Sequence, residues 1–322
     1  MGCSGIELLG QLYFRYCPEP LQEDIDSWNE LMFKYGTKTI CHDFFVDMTL
    51  YNHRRLTVRE GVDIVRRHAE FAKKIGCPII RLGGTALPEI AKASVPILED
   101  LGIRMGQELH NGTSSFAQPW TQELLNVIEQ ENSPYLGIIP DMSMFTKRIS
   151  ESTIKDGIKK GVDEKFCREV AAMFESVPNE EYRTFCKKTM DTTNDFAVKN
   201  WLGHVHRMEY FNPDILRQLT PHIVHCHGKF YEMDENCMET SIDYEGVLNA
   251  LKAGGYNGYI SAEYEGKPID NDTFEPFRRF EKMLDHYLGT WPDSQVADWP
   301  DARPANDPGF GQPSQQAISG TL

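Results

Sequence analysis

The sequence predicts an α/β protein whose parallel strands and helices form a (β/α)8 barrel. Short apolar runs alternate with amphipathic helical patterns along most of the 322 residues, which is typical of a parallel sheet covered by helices. Several runs end in a carboxylate or an imidazole, and barrel enzymes build their sites at the carboxyl ends of their strands. The rival fold, a doubly wound open sheet, usually carries a GxGxxG loop after its first strand. The glycines of RLGGT (81–85) do not fit that pattern, so the barrel is favoured.

Seven apolar runs predict strands. In chain order they are GIELL (5–9), TICHDFF (39–45), PIIRLG (78–83), IRMGQEL (103–109), LGIIPD (136–141), HIVHCHG (222–228) and YISAEY (259–264). The clearest helix spans residues 57–76, where apolar residues recur at helical spacing. Thr57 and Glu60 have the spacing of a capping box, and Gly76 is placed to end this helix.

The domain organisation predicted is one barrel over residues 1–290, with a helical insertion and a tail. Residues 149–200 are long, charged and helix-prone where a barrel normally needs a single helix. We expect them to form an inserted subdomain over the mouth of the site, before the strand HIVHCHG, which is the seventh strand of the complete barrel. Residues 291–322 are rich in Pro, Gly, Asp and Ser, and we expect them to be a mobile tail.

The first barrel strand is expected to be missing from this sequence. A barrel needs eight strands, and counting back from YISAEY as the eighth makes GIELL the second. Only four residues precede Gly5, whereas a strand with its crossover helix usually takes about 20 or more. We therefore expect either that the natural start lies upstream of Met1, or that a partner or the 149–200 insertion covers the gap.

Composition narrows the class of partner. The formal net charge is −15 at pH 7, which argues against nucleic acid and anionic membranes as partners. The sequence has no long apolar run that would span a bilayer and no basic start followed by an apolar stretch. Its eight cysteines include no CxxC pair, so free thiols in a reducing cytoplasm are expected.

Four predicted strand ends carry candidate metal ligands: Glu108, Asp141, His227 and Glu263. Three carboxylates and one imidazole suit Mn²⁺, Mg²⁺, Co²⁺ or Zn²⁺. Each residue alone has an ordinary structural explanation, because strand-end carboxylates often cap helices and a histidine in an apolar strand is often a core residue. Their joint occurrence at strand ends is more specific. His110 lies two residues after Glu108, so both are expected to point to one face.

The words GQELH, IIPDMS, VHCHGKF and GGYNGYISAEYEG resemble the xylose isomerase-like barrels of sugar isomerases and epimerases, over roughly residues 1–285. The resemblance implies that the four candidates bind one divalent metal ion. It makes His227 the ligand in HCHGKF and leaves His225 either as a structural residue or as an outer partner of the metal ligands. Met144 stands where the sugar 3-epimerases and endonuclease IV relatives have a second histidine, which implies a single-metal site.

His110 and the long gap between Asp141 and His227 resemble, more narrowly, the large (α) subunit of bacterial C-glycoside deglycosidases. That resemblance implies Mn²⁺ or a similar ion, His110 as the base, a small β-sandwich β subunit, and cleavage of the sugar–carbon bond of a 3-oxo-C-glycoside. Lys229 is a candidate for binding substrate by stabilising negative charge, or else an exposed strand-end lysine. Two alternatives stay open: a stand-alone isomerase or epimerase of a ketose or inositol derivative, and a non-catalytic binding or assembly subunit.

Overall fold

The computed structural model describes residues 5–266 and 274–289, so the predicted tail at 291–322 lies outside the described residues. Each of the seven predicted runs contains or overlaps a strand. The strands are β1 Gly5–Leu9, β2 Lys38–Phe45, β3 Ile79–Gly83, β4 Arg104–Leu109, β5 Leu136–Pro140, β6 Cys226–Phe230 and β7 Ile260–Tyr264. The helices are α1 Gly10–Tyr13, α2 Gln22–Tyr35, α3 Val58–Lys74, α4 Pro88–Leu101, α5 Pro119–Glu131, α6 Glu151–Lys159, α7 Glu164–Ser176, α8 Asn179–Thr192, α9 Phe196–Val205, α10 Ile215–Leu219, α11 Tyr244–Gly254 and α12 Glu275–Leu288.

The strands are parallel and follow chain order around the sheet, as the barrel prediction requires. Strands β1 to β5 form one five-stranded sheet, and β6 pairs with β7. Two single parallel bridges, Ile138 with Ile223 and Asp141 with His227, connect β5 to β6. Among the described residues β1 pairs with β2 alone and β7 with β6 alone, and the missing first strand stays a prediction.

Helix α3 shows how the local sequence fixes an element that covers the sheet. The Thr57 side chain accepts a hydrogen bond from the Glu60 backbone, and the Glu60 carboxylate accepts one from the Thr57 backbone, so the predicted capping box is present. The chain leaves the helix at Gly76, whose φ of +67° favours glycine. The buried face of α3, including Val65 and Phe71, packs into the core between sheet and helices.

Helices α6 to α9 lie between β5 and β6, where the sequence predicts the helical insertion. They surround an apolar cluster of their own, separate from the barrel core, with Tyr182, Cys186 and Leu202 fully buried. The Tyr182 hydroxyl donates a hydrogen bond to the Val205 carbonyl at 3.2 Å, which joins α8 to α9. This segment therefore has its own packing.

Two buried imidazoles, His42 in β2 and His68 in α3, predict acid sensitivity. His42 Nε2 lies 2.8 Å from His68 Nδ1. Burial lowers the pKa of His42 to about 4 and, with the charge of His42, the pKa of His68 to about 3, from an ordinary value of 6.5. Below pH 6.5 the unfolded chain therefore takes up protons that the folded chain does not. As the pH is lowered below 6.5, the free energy of unfolding should therefore fall by about 1.4 kcal/mol per pH unit for each imidazole. The fall ends when the pH reaches the pKa values that these imidazoles have in the folded chain.

Urea unfolding of chelator-treated protein between pH 7 and pH 5 measures this slope. The variant His68→Gln should flatten it, and His53→Gln, at an exposed position, should leave it unchanged. An unaltered slope in His68→Gln would contradict the assignment.

Candidate metal centre

The four residues predicted as metal ligands meet in the structure, although His227 lies near the start of its strand rather than near its end as predicted. Glu108 lies near the end of β4, Asp141 directly follows β5, His227 lies in β6 and Glu263 in β7. One donor atom from each lies within 4.8 Å of the donor atoms of the other three. His227 Nδ1 is 3.0 Å from Glu108 Oε1 and 3.3 Å from Glu263 Oε2. The structure therefore brings the whole predicted set together.

Two of the three carboxylates of this set, those of Glu108 and Glu263, are charged despite their burial. Burial raises the pKa of Glu108, but the hydrogen bond and charge of His227 and the charge of Arg81 outweigh it and lower the pKa to about 2. Burial likewise raises the pKa of Glu263, and His227 and Lys229 lower it to about 2. Both groups are thus ready to bind a cation at neutral pH.

Lys229 is buried inside the site, so the alternative of an exposed strand-end lysine is wrong. Its Nζ lies 2.7 Å from Glu263 Oε1, 3.3 Å from Asp141 Oδ2 and 2.8 Å from Glu265 Oε1. Burial lowers the pKa of Lys229, but these carboxylates outweigh it and raise the pKa well above its usual value. A permanent positive charge therefore stands beside two of the four candidate ligands.

Sequence reasoning missed three charged residues near this set, which are Glu7 in β1, Asp43 in β2 and Arg81 in β3. Glu7 Oε1 lies 2.8 Å from His227 Nε2, and Glu7 Oε2 lies 3.0 Å from His225 Nε2. Arg81 donates to Glu108 at 2.9 Å and lies 3.7 Å from Asp43. The available signal was a charged residue inside an apolar strand, since such residues are rarely buried without a partner. The prediction that His225 is structural fits its contacts with Glu7 and with Ser261, whose hydroxyl is 2.8 Å away.

Negative groups outnumber positive ones around this set, in the part of the chain that the structure describes. The carboxylates there are those of Glu7, Asp43, Glu108, Asp141 and Glu263, and the permanent cations that contact them are Arg81 and Lys229. Burial lowers the pKa of His227, but Glu7, Glu108 and Glu263 raise it well above the usual value. Burial and the neighbouring carboxylates also raise the pKa of Asp141. Both shifts reflect an excess of negative charge, which a bound divalent cation would offset.

The donor set fits a divalent ion in a second respect. Glu263 Oε2 is buried and accepts no well-formed hydrogen bond from the described residues, although His227 Nδ1 is 3.3 Å away. Buried polar atoms of this kind call for a missing partner. Three carboxylates and one imidazole are a ligand set suited to Mn²⁺, Mg²⁺, Co²⁺ or Zn²⁺.

His110 starts the loop after β4, one residue beyond Leu109, where the predicted strand also ends. Its ring is half-buried, and Nδ1 lies 2.6 Å from the Asn111 carbonyl oxygen. Because a carbonyl only accepts, Nδ1 carries the proton and donates, so the neutral ring has a bare Nε2. An accessible bare ring nitrogen is what a general base requires.

The loop that carries His110 is held from the insertion side of the chain. The buried Glu209 carboxylate, which follows α9, accepts hydrogen bonds from the Gly112 backbone at 3.0 Å and the Ser115 hydroxyl at 3.1 Å. Arg183 in α8 pairs with the same carboxylate. The inserted helices therefore help to fix the position of the loop after β4.

Comparison with known proteins places this architecture in a family. The sequence model of the xylose isomerase-like TIM barrel matches residues 1–286, and the chain belongs to that family. The 3'-dehydrocarminate deglycosidase alpha subunit of Microbacterium sp is 26% identical over 285 residues, covering 85% of this chain and 81% of the relative. The C-glycoside deglycosidase alpha subunit of Microbacterium trichothecenolyticum is 27% identical over 282 residues, covering 81% of this chain and 74% of the relative.

Among solved structures, a sugar phosphate isomerase/epimerase from Parabacteroides distasonis covers 92% of this chain and 84% of its own, with 10% identity and a TM-score of 0.47. The family and the likeness to deglycosidase α subunits that the sequence predicts are thus confirmed.

Two further features bear on the setting of the protein. In the part of the chain that the structure describes, no helix is both long and apolar enough to cross a bilayer. The described cysteines are all free thiols, as the sequence predicts.

Proposed function

We propose that this chain is the α subunit of a metal-dependent C-glycoside deglycosidase, which cleaves the bond between the sugar and the aglycone carbon of a 3-oxo-C-glycoside. The observation that carries the proposal is a half-buried His110 with a bare Nε2, two residues beyond a carboxylate of the candidate metal centre. The relatives named as deglycosidase alpha subunits support this choice of substrate.

The proposed metal ligands are Glu108, Asp141, His227 and Glu263, with Mn²⁺ as the favoured ion. When bound, the ion would polarise the ketone and neighbouring hydroxyl oxygens of the sugar. Lys229 would add a fixed positive charge on the same side, where its contacts with Asp141 and Glu263 hold it. Both effects favour negative charge that develops on the sugar oxygens.

His110 would act as the base through Nε2. The ketone makes the neighbouring C–H acidic, so His110 takes that proton and the electron pair is delocalised into the carbonyl. The pair then forms the double bond to the anomeric carbon while the bond to the aglycone breaks. The aglycone carbon leaves with the bonding pair and takes up a proton, so atoms and charge balance. Deprotonation of an aglycone phenol by the same nitrogen is the other route open to this base.

A small β subunit is part of the proposal, since the relatives are named alpha subunits. The inserted helices of residues 149–200 would form a subdomain over the site. The contact of Arg183 with Glu209, which in turn holds the His110 loop, supports this placement. The free thiols of the described cysteines support a cytoplasmic location.

The test is an assay of the purified chain on a 3-oxo-C-glucoside, with and without Mn²⁺ and with and without a candidate small β subunit. We expect release of the aglycone when both are present. Conversion of a free ketose by the chain alone, with no aglycone release in any mixture, would instead make it an isomerase or epimerase. Metal-independent binding of the glucoside without turnover would indicate a non-catalytic subunit.

Glu7 is expected to strengthen metal binding through His227. Its carboxylate holds the Nε2–H of His227, which leaves Nδ1 facing Glu108 and Glu263. Removal of such an outer partner typically weakens metal affinity by about 10–100-fold. Glu7→Gln should therefore raise the Kd for Mn²⁺ by that amount in a direct titration. Glu23→Gln, in the exposed first turn of α2, is the matched control, and equal affinities of the two variants would contradict this role.

A further inference from the structure

A second group of metal-ligand side chains lies outside the barrel centre, on the side of β2 that faces α3. It consists of Cys17, His42 and His68, which each offer one donor atom within 4.8 Å of the others. His42 and His68 are buried and Cys17 is half-buried. The proposed reaction uses none of them. We propose that these three residues bind a borderline metal ion, Zn²⁺ in the first place, in a site distinct from the barrel centre.

The orientation of His42 supports a ligand role. Its Nδ1 lies 3.3 Å from the Leu8 carbonyl oxygen, so Nδ1 donates and Nε2 is left bare. Histidines that bind metals characteristically donate their other ring proton to a carbonyl or a carboxylate in this way. The bare Nε2 faces His68 Nδ1 at 2.8 Å. Tetrahedral donors at the usual zinc bond lengths lie roughly 3.3–3.6 Å apart, so a small opening of the pair admits the ion.

The surroundings leave room for the group and keep it apolar. A Cβ at Gly10 would lie 2.8 Å from His42 Cε1 and 2.9 Å from Cys17 Sγ, so the absence of a side chain there is required. Phe44 stacks on His68 with ring centroids 4.5 Å apart, and Phe71 meets the His42 ring edge-on at 4.9 Å. One thiolate and two imidazoles in such surroundings are a ligand set typical of Zn²⁺ rather than of Mn²⁺ or Mg²⁺.

Binding changes the protonation of two of the ligands. The Cys17 thiol loses its proton to solvent, since the thiolate is the form that binds metal. His68 moves its proton from Nδ1 to Nε2, so that Nδ1 turns its lone pair to the ion. One proton is released per ion, and the Leu8 carbonyl continues to hold His42. Three protein ligands leave a fourth position for water.

Cobalt absorption separates this site from the barrel centre, because only a thiolate ligand gives an intense near-ultraviolet charge-transfer band with Co²⁺. We expect chelator-stripped full-length protein to develop this band on titration with Co²⁺, and Zn²⁺ to abolish it by competition. Cys17→Ser should remove the band, and His68→Gln should raise the Co²⁺ concentration needed for it by at least tenfold. Cys237→Ser, at another half-buried thiol, is the matched control and should keep the band.

Two more variants test which thiolate gives the Co²⁺ band and whether the band depends on the barrel centre. Cys41 lies near Glu7 and His225 in the barrel interior, so Cys41→Ser should keep the band if Cys17 is its source. Glu108→Gln should also keep the band, so the inference stands or falls independently of the proposed reaction. If Cys17→Ser does not fold, His68→Gln decides. No band in the parent protein, or a band that persists in Cys17→Ser, would overturn the proposal.

Discussion

Turnover of a 3-oxo-C-glucoside by this chain and its proposed β subunit is expected to fall by about 10²- to 10⁴-fold when His110 is replaced by alanine. This is the usual effect of removing a general base. The reason is local, because Nε2 is the bare nitrogen of a half-buried ring whose Nδ1 is held by the Asn111 carbonyl. The loop itself should keep its position. Glu209 holds it through Gly112 and Ser115, and neither contact involves the imidazole.

Metal content distinguishes a chemical role of His110 from a structural one. Mn²⁺ affinity of His110→Ala should stay close to that of the parent protein while its turnover falls. His53→Ala, at an exposed position, is the matched control. Near-normal turnover of His110→Ala would remove it from the reaction, and a parallel loss of Mn²⁺ would make its role structural.

The candidate metal centre was predictable because its residues follow one rule of the fold. Each candidate ligand lies near the carboxyl end of an apolar run, and parallel strands bring those ends to the same edge. The capping box of Thr57 and Glu60 was predictable for a similar reason, since both partners lie within one helical turn. Local spacing was sufficient in these cases.

Contacts across the barrel were not predictable in this way. Glu7 in β1 contacts His227 in β6, and the sequence around either residue gives no sign that the two are in contact. In the sequence Arg81 is a single charged residue in an apolar strand. Only the structure shows that it contacts Asp43 and Glu108 on the two neighbouring strands.

Mn²⁺ affinity is expected to fall by more than about 100-fold in Glu108→Gln, because even outer partners of metal ligands contribute about 10–100-fold. The substitution keeps the shape of the side chain and removes the charge that both His227 and Arg81 contact. His227→Gln should have a similar effect by removing the only imidazole of the four-residue set. Electron paramagnetic resonance of free Mn²⁺ during a titration measures the affinity directly. Mn²⁺ is also poorly suited to the thiolate group of Cys17, His42 and His68, so that group should not contribute.

Glu129→Gln, on the exposed face of α5, is the matched control for Glu108→Gln and should bind Mn²⁺ as the parent protein does. Folding of each variant is checked by its thermal unfolding. We expect Glu108→Gln to fold, because Arg81 retains Asp43 as a partner when the side chain at 108 is neutral. A folded Glu108→Gln that binds Mn²⁺ with unchanged affinity would show that the ion is not held at these strand ends.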